Sequence, residues 1–280
     1  MPSTMISRNS MLYWWPRVHD VDVPMPATCL IEIGRSTLVD YMLEIGCVDG
    51  IVPGWDGMVD AEAQAVEARW AEGDELPATD AIVDARGRMW WMAVINAMDD
   101  IGYPAFVRGD MAAAKHQWRD TCHVPTSAEL QQHIAAIIED NTLQGLTDSG
   151  LALRKYIAPD AEFAAFHGRL PIGRERRLFV DQGRVVCWHP YWPAGAILAP
   201  DRDDWEYRLA EANTMSEDEI ELLIGYAERI AERLEGYWSL DFMLGADGTW
   251  YFIDAALGHD SWHPACEVVD RHPEYDTRVG

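Results

Sequence analysis

The dipeptide Asp247-Gly248 constrains this chain more than any other short feature. It sits inside Tyr237-Trp-Ser-Leu-Asp241-Phe-Met-Leu-Gly-Ala-Asp247-Gly248-Thr-Trp-Tyr-Phe-Ile-Asp254. Asp-Gly between two apolar runs predicts a hairpin with a two-residue type I′ loop, which needs positive φ at both central residues. That loop pairs Ala246 with Thr249, Met243 with Phe252 and Asp241 with Asp254. Directly opposed residues of an antiparallel pair share a face, and like charges placed so are destabilising. A bridging cation or a retained proton removes the penalty. Mg²⁺, held by one or two carboxylates plus substrate phosphates, suits two opposed acids. A solvent-facing acidic edge is the other reading. Met243, Trp250 and Phe252, expected on the same face, make that face apolar and favour the metal.

The chain's 280 residues allow one large domain or two moderate ones, and 49% hydrophobic residues suffice for a core. A net charge of −25 argues against extensive contact with nucleic acid or an anionic membrane. Any anionic ligand then needs a local positive pocket. Cys29, Cys47, Cys122, Cys187 and Cys266 are scattered and include no Cys-x-x-Cys pair. This argues against a disulfide framework or a zinc ribbon and for a reducing compartment. No run approaches a membrane span, and Met1 to Asp20 lacks the pattern of a signal peptide. The expectation is a soluble cytoplasmic protein. Of 22 basic residues only Lys115 and Lys155 are lysines. A lysine is a compact point charge suited to phosphate oxygens, so these two are candidates for a phosphate site, against the plainer reading of two surface side chains.

Residues 28–33 read as a strand, 36–45 and 59–72 as helices, 81–84 as a short strand and 88–101 as a buried helix. This alternation suggests a small α/β unit. A strand at 104–108 breaks into a small-residue loop carrying Lys115, followed by a helix opened by Pro125-Thr-Ser127. Residues 151–157 form a strand. Residues 175–180 and 184–188 form a hairpin around Asp181-Gln182-Gly183, with Glu175, Arg177 and Phe179 on one face and Arg174 and Arg176 on the other, toward solvent or a substrate channel. Ser216 and Glu219 form a capping box for a helix that Gly236 ends.

Four elements then stand in order: Phe106-Val-Arg108 with the loop to Lys115; Arg154-Lys155-Tyr156-Ile157; Glu175-x-Arg177-x-Phe179; and Asp241 with Asp254. With Leu170-Pro-Ile-x-x-Glu175-x-Arg177 and His189-Pro-Tyr-Trp192, this order resembles the ATP-grasp superfamily over residues 100–265. It looks closest to the bacterial and phage branch with one arginine and two lysines in the nucleotide site. The resemblance implies an α+β ATP-grasp fold of antiparallel sheets with flanking helices. Residues 1–100 would form a small α/β pre-ATP-grasp domain, 101–270 the ATP-grasp domain and 271–280 a tail.

The resemblance also implies roles. Arg108, Lys115 and Lys155 would contact phosphates, although adjacent Arg154 and Lys155 point to opposite faces of a regular strand. Tyr156 and Ile157 would wall the adenine pocket, or be ordinary core. Glu162 is a candidate ribose contact. Arg177 would neutralise the γ-phosphate or an acyl phosphate, with Glu175 orienting it. Asp241 and Asp254 would hold Mg²⁺. The family's further asparagine is replaced here by Ala256, a departure for which His259, Asp260 or Ser261 would have to compensate. His259 and His263 are also spaced to share a transition metal if helical. His189 would line the acceptor pocket or pack among aromatic rings.

The implied activity is ATP- and Mg²⁺-dependent joining of a carboxylate to an amine or similar nucleophile through an acyl phosphate. The alternatives are a kinase-like phosphotransferase and a catalytically impaired nucleotide-binding or interaction protein. The expected partner is a small molecule or peptide, with no membrane and no extensive nucleic-acid contact. The oligomeric state is open.

Overall fold

A computed structural model describes residues 6–34, 82–84, 90–167 and 169–275. The helices expected at 36–45 and 59–72 lie outside the described residues. The chain divides into two compact units, Met1–Pro26 with Ile157–Gly280, and Ala27–Tyr156. The position 100/101 falls inside the second of these, in the last turn of a helix.

That contiguous unit holds β1 (Thr28–Glu32), β2 (Ile82–Asp84), α2 (Trp90–Ile101), β3 (Ala105–Gly109), β4 (His123–Val124), α3 (Leu130–Leu143) and β5 (Gly150–Lys155). The strands form one sheet in the order β2-β1-β5-β3-β4. β1 and β2 are parallel and the other neighbours antiparallel. One face carries the core. Ile31, Val107, Leu151 and Leu153 pack there with Val94 and Met98 of α2 and with Ile134 and Ile137 of α3, all essentially buried. Period-2 alternation in the strands and an apolar stripe on each helix account for this packing.

The discontinuous unit is built on a four-stranded antiparallel sheet, β11-β10-β8-β9. Its strands are β8 (Glu175–Asp181), β9 (Arg184–Pro190), β10 (Trp238–Leu244) and β11 (Trp250–Leu257). A two-stranded ribbon, β6 (Ala161–Ala165) with β7 (Leu170–Gly173), precedes it. The helices are α1 (Met11–Val18), α4 (Trp205–Ala212), α5 (Glu217–Ala231) and the short α6 (Glu267–Arg271). The capping box Ser216–Glu219 opens α5, as the sequence predicts. Its stripe of Leu223, Ala227 and Ile230 is fully buried, and α5 packs on β8, β9 and β10. α1 sends Trp14 edge-on against Phe252, with ring centroids 5.7 Å apart.

The hairpin β10–β11 opposes Asp241 and Asp254, but by another route than the dipeptide suggests. Gly245 N–H donates to Thr249 O at 2.8 Å, and Gly248 N–H to Gly245 O at 2.9 Å. Gly248 has φ +79°, whereas Asp247 is absent from the positive-φ residues. The loop is therefore Ala246-Asp247-Gly248, a turn closed by a left-handed glycine, and not a two-residue I′ loop. Its register pairs Leu244 with Trp250, Met243 with Tyr251 and Phe242 with Phe252. A bulge at Ile253 then returns Asp241 to Asp254. Two departures of one residue cancel at the aspartates. They do not cancel before the bulge: Trp250 and Phe252 lie on the face opposite Asp241, in the core with Trp14, and Tyr251 joins Met243 on the aspartate face. The apolar surround expected from Trp250 and Phe252 is corrected accordingly.

Candidate functional site

Strand register assembles one row of side chains across the sheet. Asp254 pairs with Asp241, Asp241 with Arg177 and Arg177 with His189. All four share a face, away from α5. Arg177 meets Asp241 as a fork: Nε to Oδ1 and Nη2 to Oδ2, each 2.8 Å. Their side chains are 17% and 6% exposed, so water screens the pair weakly. Burial alone lowers the Arg177 pKa, but Asp241's charge and hydrogen bonds outweigh it and hold the guanidinium above its ordinary value. The guanidinium lies over the Tyr191 ring, 4.8 Å from its centroid, and Nη1 donates to Trp262 O at 3.4 Å. Asp254 Oδ1 accepts from Ala255 N–H at 3.0 Å.

Asp241, on the neighbouring strand, orients Arg177. Glu175, buried on the same face as Arg177, accepts instead from Trp192 Nε1 at 3.0 Å. Ala256 pairs with Ser239, whose hydroxyl lies 2.6 Å from that of Ser261. Asp260 accepts from Asn9 at 2.6 Å, and His259 packs on Tyr237. The segment bearing His259 and His263 leaves its 3₁₀ turn at Asp260, so the helical spacing expected of those two histidines is not realised. Glu162 pairs with Arg208 of α4 at 3.4 Å.

Arg176 overturns the expectation of a solvent or channel residue. It is fully buried. Nη2 donates to Ala212 O at 2.7 Å and Thr214 O at 2.9 Å, and Nη1 to Glu175 O at 2.8 Å. It closes the C-terminal end of α4, where carbonyls lack helical partners and favour a cation. Burial pulls its pKa down to about 10. Arg174 donates to Thr214 O at 3.0 Å and pairs with Glu219 at 2.9 Å. Strand alternation gives the face of Arg176. It does not give the helix end that waits there.

In the contiguous unit, Arg108 pairs with Ala152, Phe106 with Arg154 and Ala105 with Lys155. Arg108 and Arg154 therefore share the face away from α2 and α3, and both are buried. Lys155 is exposed at the end of β5 and belongs to the opposite row. Register thus brings Arg154, not Lys155, beside Arg108. Arg154 Nε donates to Thr28 Oγ1 at 3.1 Å, and Arg108 Nε to Gly109 O at 3.0 Å. Tyr156 stands edge-on to His123, centroids 4.8 Å apart, and near Trp118 at 5.9 Å. Ile157 opens the other unit.

Lys115 begins a 3₁₀ turn after Ala114, which has φ +46°. The loop before it is fastened from below by residues that sequence reasoning missed. Asp110 Oδ1 accepts from Ser149 N–H at 2.6 Å and Gly150 N–H at 2.9 Å. Asp148 accepts from Met111 N–H at 3.0 Å and Asn141 Nδ2 at 2.7 Å. Thr121 Oγ1 donates to Ala114 O at 2.8 Å. Burial, with Asp110 adding to it, pushes the Asp148 carboxyl up to about 6 against its hydrogen bonds. The available signal was an aspartate directly after the Gly109 strand end, with a second, 38 positions on, two residues before β5.

A family described as an ATP-grasp domain, family 3 of its clade, matches residues 97–272. The chain belongs to this family and has the ATP-grasp fold. Among solved structures it is similar to C-terminally truncated Cdc123 from Schizosaccharomyces pombe, at 11% identity and TM-score 0.50, over 91% of this chain and 88% of that one. Two further likenesses are weaker. One is a RimK domain ATP-grasp protein from Sphaerobacter thermophilus (13% identity, TM-score 0.42, 97% and 66% covered). The other is the D-alanine–D-alanine ligase of Bacillus anthracis complexed with ATP (14%, 0.38, 65% and 50%). Comparison with curated proteins finds no match. Among the described residues no helix is long and apolar enough to cross a membrane.

Proposed function

We propose that this chain is an ATP-dependent ligase that joins a carboxylate to an amine or similar nucleophile. The carrying observation is the row Asp254–Asp241–Arg177 on one sheet face, in a chain of the ATP-grasp family. In the proposed reaction a substrate carboxylate oxygen attacks the γ-phosphorus of ATP and ADP leaves. The nucleophile then attacks the acyl carbon, phosphate leaves and the amine proton passes to solvent or base. Such chemistry is mostly positioning and charge stabilisation, which accords with a site made of cations and carboxylates.

Arg177 is proposed to meet the charge that develops on the transferring group, with Asp241 as the positioning residue that aims its fork. Arg108 and Lys115 are proposed phosphate contacts; Lys155 is proposed to join them only from the end of β5, since Arg154 is the residue that shares the Arg108 face. Tyr156 and Ile157 would wall the adenine, and Glu175 would support the acceptor side through Trp192. Asp241 and Asp254 supply hard oxygen donors of the kind Mg²⁺ prefers, and a carboxylate that accepts a guanidinium fork keeps further lone pairs. Bound there, Mg²⁺ would neutralise phosphate charge. The donor set fits a two-carboxylate site completed by phosphate and water. The cysteine pattern of the sequence accords with a reducing, cytoplasmic setting, and the partner is a small molecule or peptide.

Ala256 favours a second reading, a nucleotide-binding protein with impaired catalysis, because a methyl group stands where a further ligand is expected. A thermal-shift series with ATP and Mg²⁺, followed by ADP release over a panel of acids and amines, separates the readings. ADP release requiring both acid and amine supports the ligase. A phosphorylated product without amine moves the assignment to a phosphotransferase. A shift without turnover supports the binder, and no shift overturns every nucleotide reading.

A further inference from the structure

The row that carries Arg177 ends at His189, and what gathers around His189 has no part in the proposed nucleotide chemistry. Cys187 and His189 stand two residues apart on β9, hence on one face. His263 and Cys266 come from the segment after β11 that folds over this face. One ligand atom from each of the four lies within 4.8 Å of all the others. His263 is fully buried. Its Nδ1 meets Pro264 O at 2.7 Å, and its Nε2 lies 3.0 Å from Cys187 Sγ. A backbone carbonyl on Nδ1 fixes the tautomer that leaves Nε2 as a lone-pair donor, the arrangement metal-bound histidines use. His189 Nε2 is buried with no hydrogen-bond partner among the described residues. A buried polar atom left so carries a desolvation cost that a ligand in the cluster would remove.

We infer that Cys187, His189, His263 and Cys266 form a structural zinc site. Two thiols and two imidazoles are the donor set of tetrahedral zinc, and a shell closed by four protein ligands leaves no open position for catalysis. Metal–ligand bonds of about 2.0–2.3 Å give tetrahedral edges of roughly 3.3–3.8 Å, so binding requires only small shifts of the four atoms. On binding, each thiol loses its proton to solvent. The sequence signature is Cys-x-His followed far downstream by His-x-x-Cys, two half-sites that no local zinc pattern joins.

A disulfide between Cys187 and Cys266 is the competing outcome; it would give His189 Nε2 no ligand. Zinc uses all four. It also fixes Trp262, next to His263, whose carbonyl accepts from Arg177. This inference does not depend on the ligase reading, and Mg²⁺ has no preference for such soft donors.

The test uses the full chain, reduced, reconstituted with zinc and desalted, with metal counted by mass spectrometry. One zinc per chain is expected, and the double variant C187S/C266S should retain at most about a tenth of it, since losing two ligands exceeds the effect of losing an outer-shell partner. Exposed His272→Asn should retain it fully. Should the double variant not fold, cobalt(II) added to the metal-free wild type gives the answer: thiolate-to-cobalt charge transfer and tetrahedral ligand-field bands support the site. Substoichiometric zinc in the wild type, an octahedral cobalt spectrum, full zinc in C187S/C266S, or a Cys187–Cys266 disulfide recovered in place of metal would each overturn it.

Discussion

The two hairpins of the four-stranded sheet carry nearly the same turn chemistry and solve it differently. In β8–β9 the loop is Gln182-Gly183, with φ +48° and +82°, and Asp181 pairs directly with Arg184. That is the two-residue loop with both central residues left-handed. In β10–β11, where Asp-Gly made this loop the natural expectation, a three-residue turn forms instead. The aspartate explains the difference. Asp247 accepts from Thr249 N–H at 3.0 Å and Tyr251 Oη at 2.7 Å, an Asx-type arrangement that holds the residue in the ordinary φ range. Gln182 has no comparable bonds among the described residues and yields to its strands. A dipeptide names a hairpin; the side chain's own hydrogen bonds choose the loop, and so the register.

The largest expected effect comes from cutting the seam between the hairpins. Asp241→Asn leaves a buried guanidinium without its counter-charge and should cost about 3 kcal/mol in denaturant unfolding. The double variant R177M/D241L should recover most of that stability while losing any nucleotide-dependent thermal shift. If D241N were nearly neutral, the two hairpins would be held by their ladders alone. Next in size is Asp247→Gly, which removes both side-chain bonds and admits the two-residue loop. Thermal unfolding should register a clear loss, and amide exchange at Thr249 should rise. Smallest is Gln182→Gly, which relieves a left-handed non-glycine at the cost of a looser unfolded chain and should raise stability by about 0.5 kcal/mol. Opposite signs for these glycine substitutions would sharpen the contrast, and equal signs would break it.

Much of the sheet was legible because it depends on near neighbours. The capping box and the β8 face with Arg177 follow from local patterns, whereas the aspartates end up opposed only because the three-residue turn and the bulge offset each other. The parts that were not legible depend on distant ones. The bulge at Ile253 sits where Phe252 N–H turns to Pro24 O at 2.9 Å, a contact more than two hundred positions back. Arg176 is buried because α4 ends against it. Lys155 and Arg154 exchange places relative to Arg108 because the β3–β5 register, not composition, decides which residue faces which way. The four cysteine and histidine side chains converge only once β9 and the segment after β11 are in place.

The outer edge of β11 has one more consequence. Phe252 N–H donates to Pro24 O, and Leu257 N–H to Asn9 Oδ1 at 2.7 Å, so the first stretch of the chain shields a strand edge that would otherwise template foreign strands. The unit it belongs to resumes only at Ile157. During synthesis, which runs from the N-terminus, the contiguous unit can therefore be complete while residues 6–26 still wait. Their partner strand is the last to be made, and this sheet bears the long-loop closure that makes non-local folding slow. A ribosome-stalled chain ending before Trp250 should hold one folded unit and an unsatisfied, protease-sensitive start.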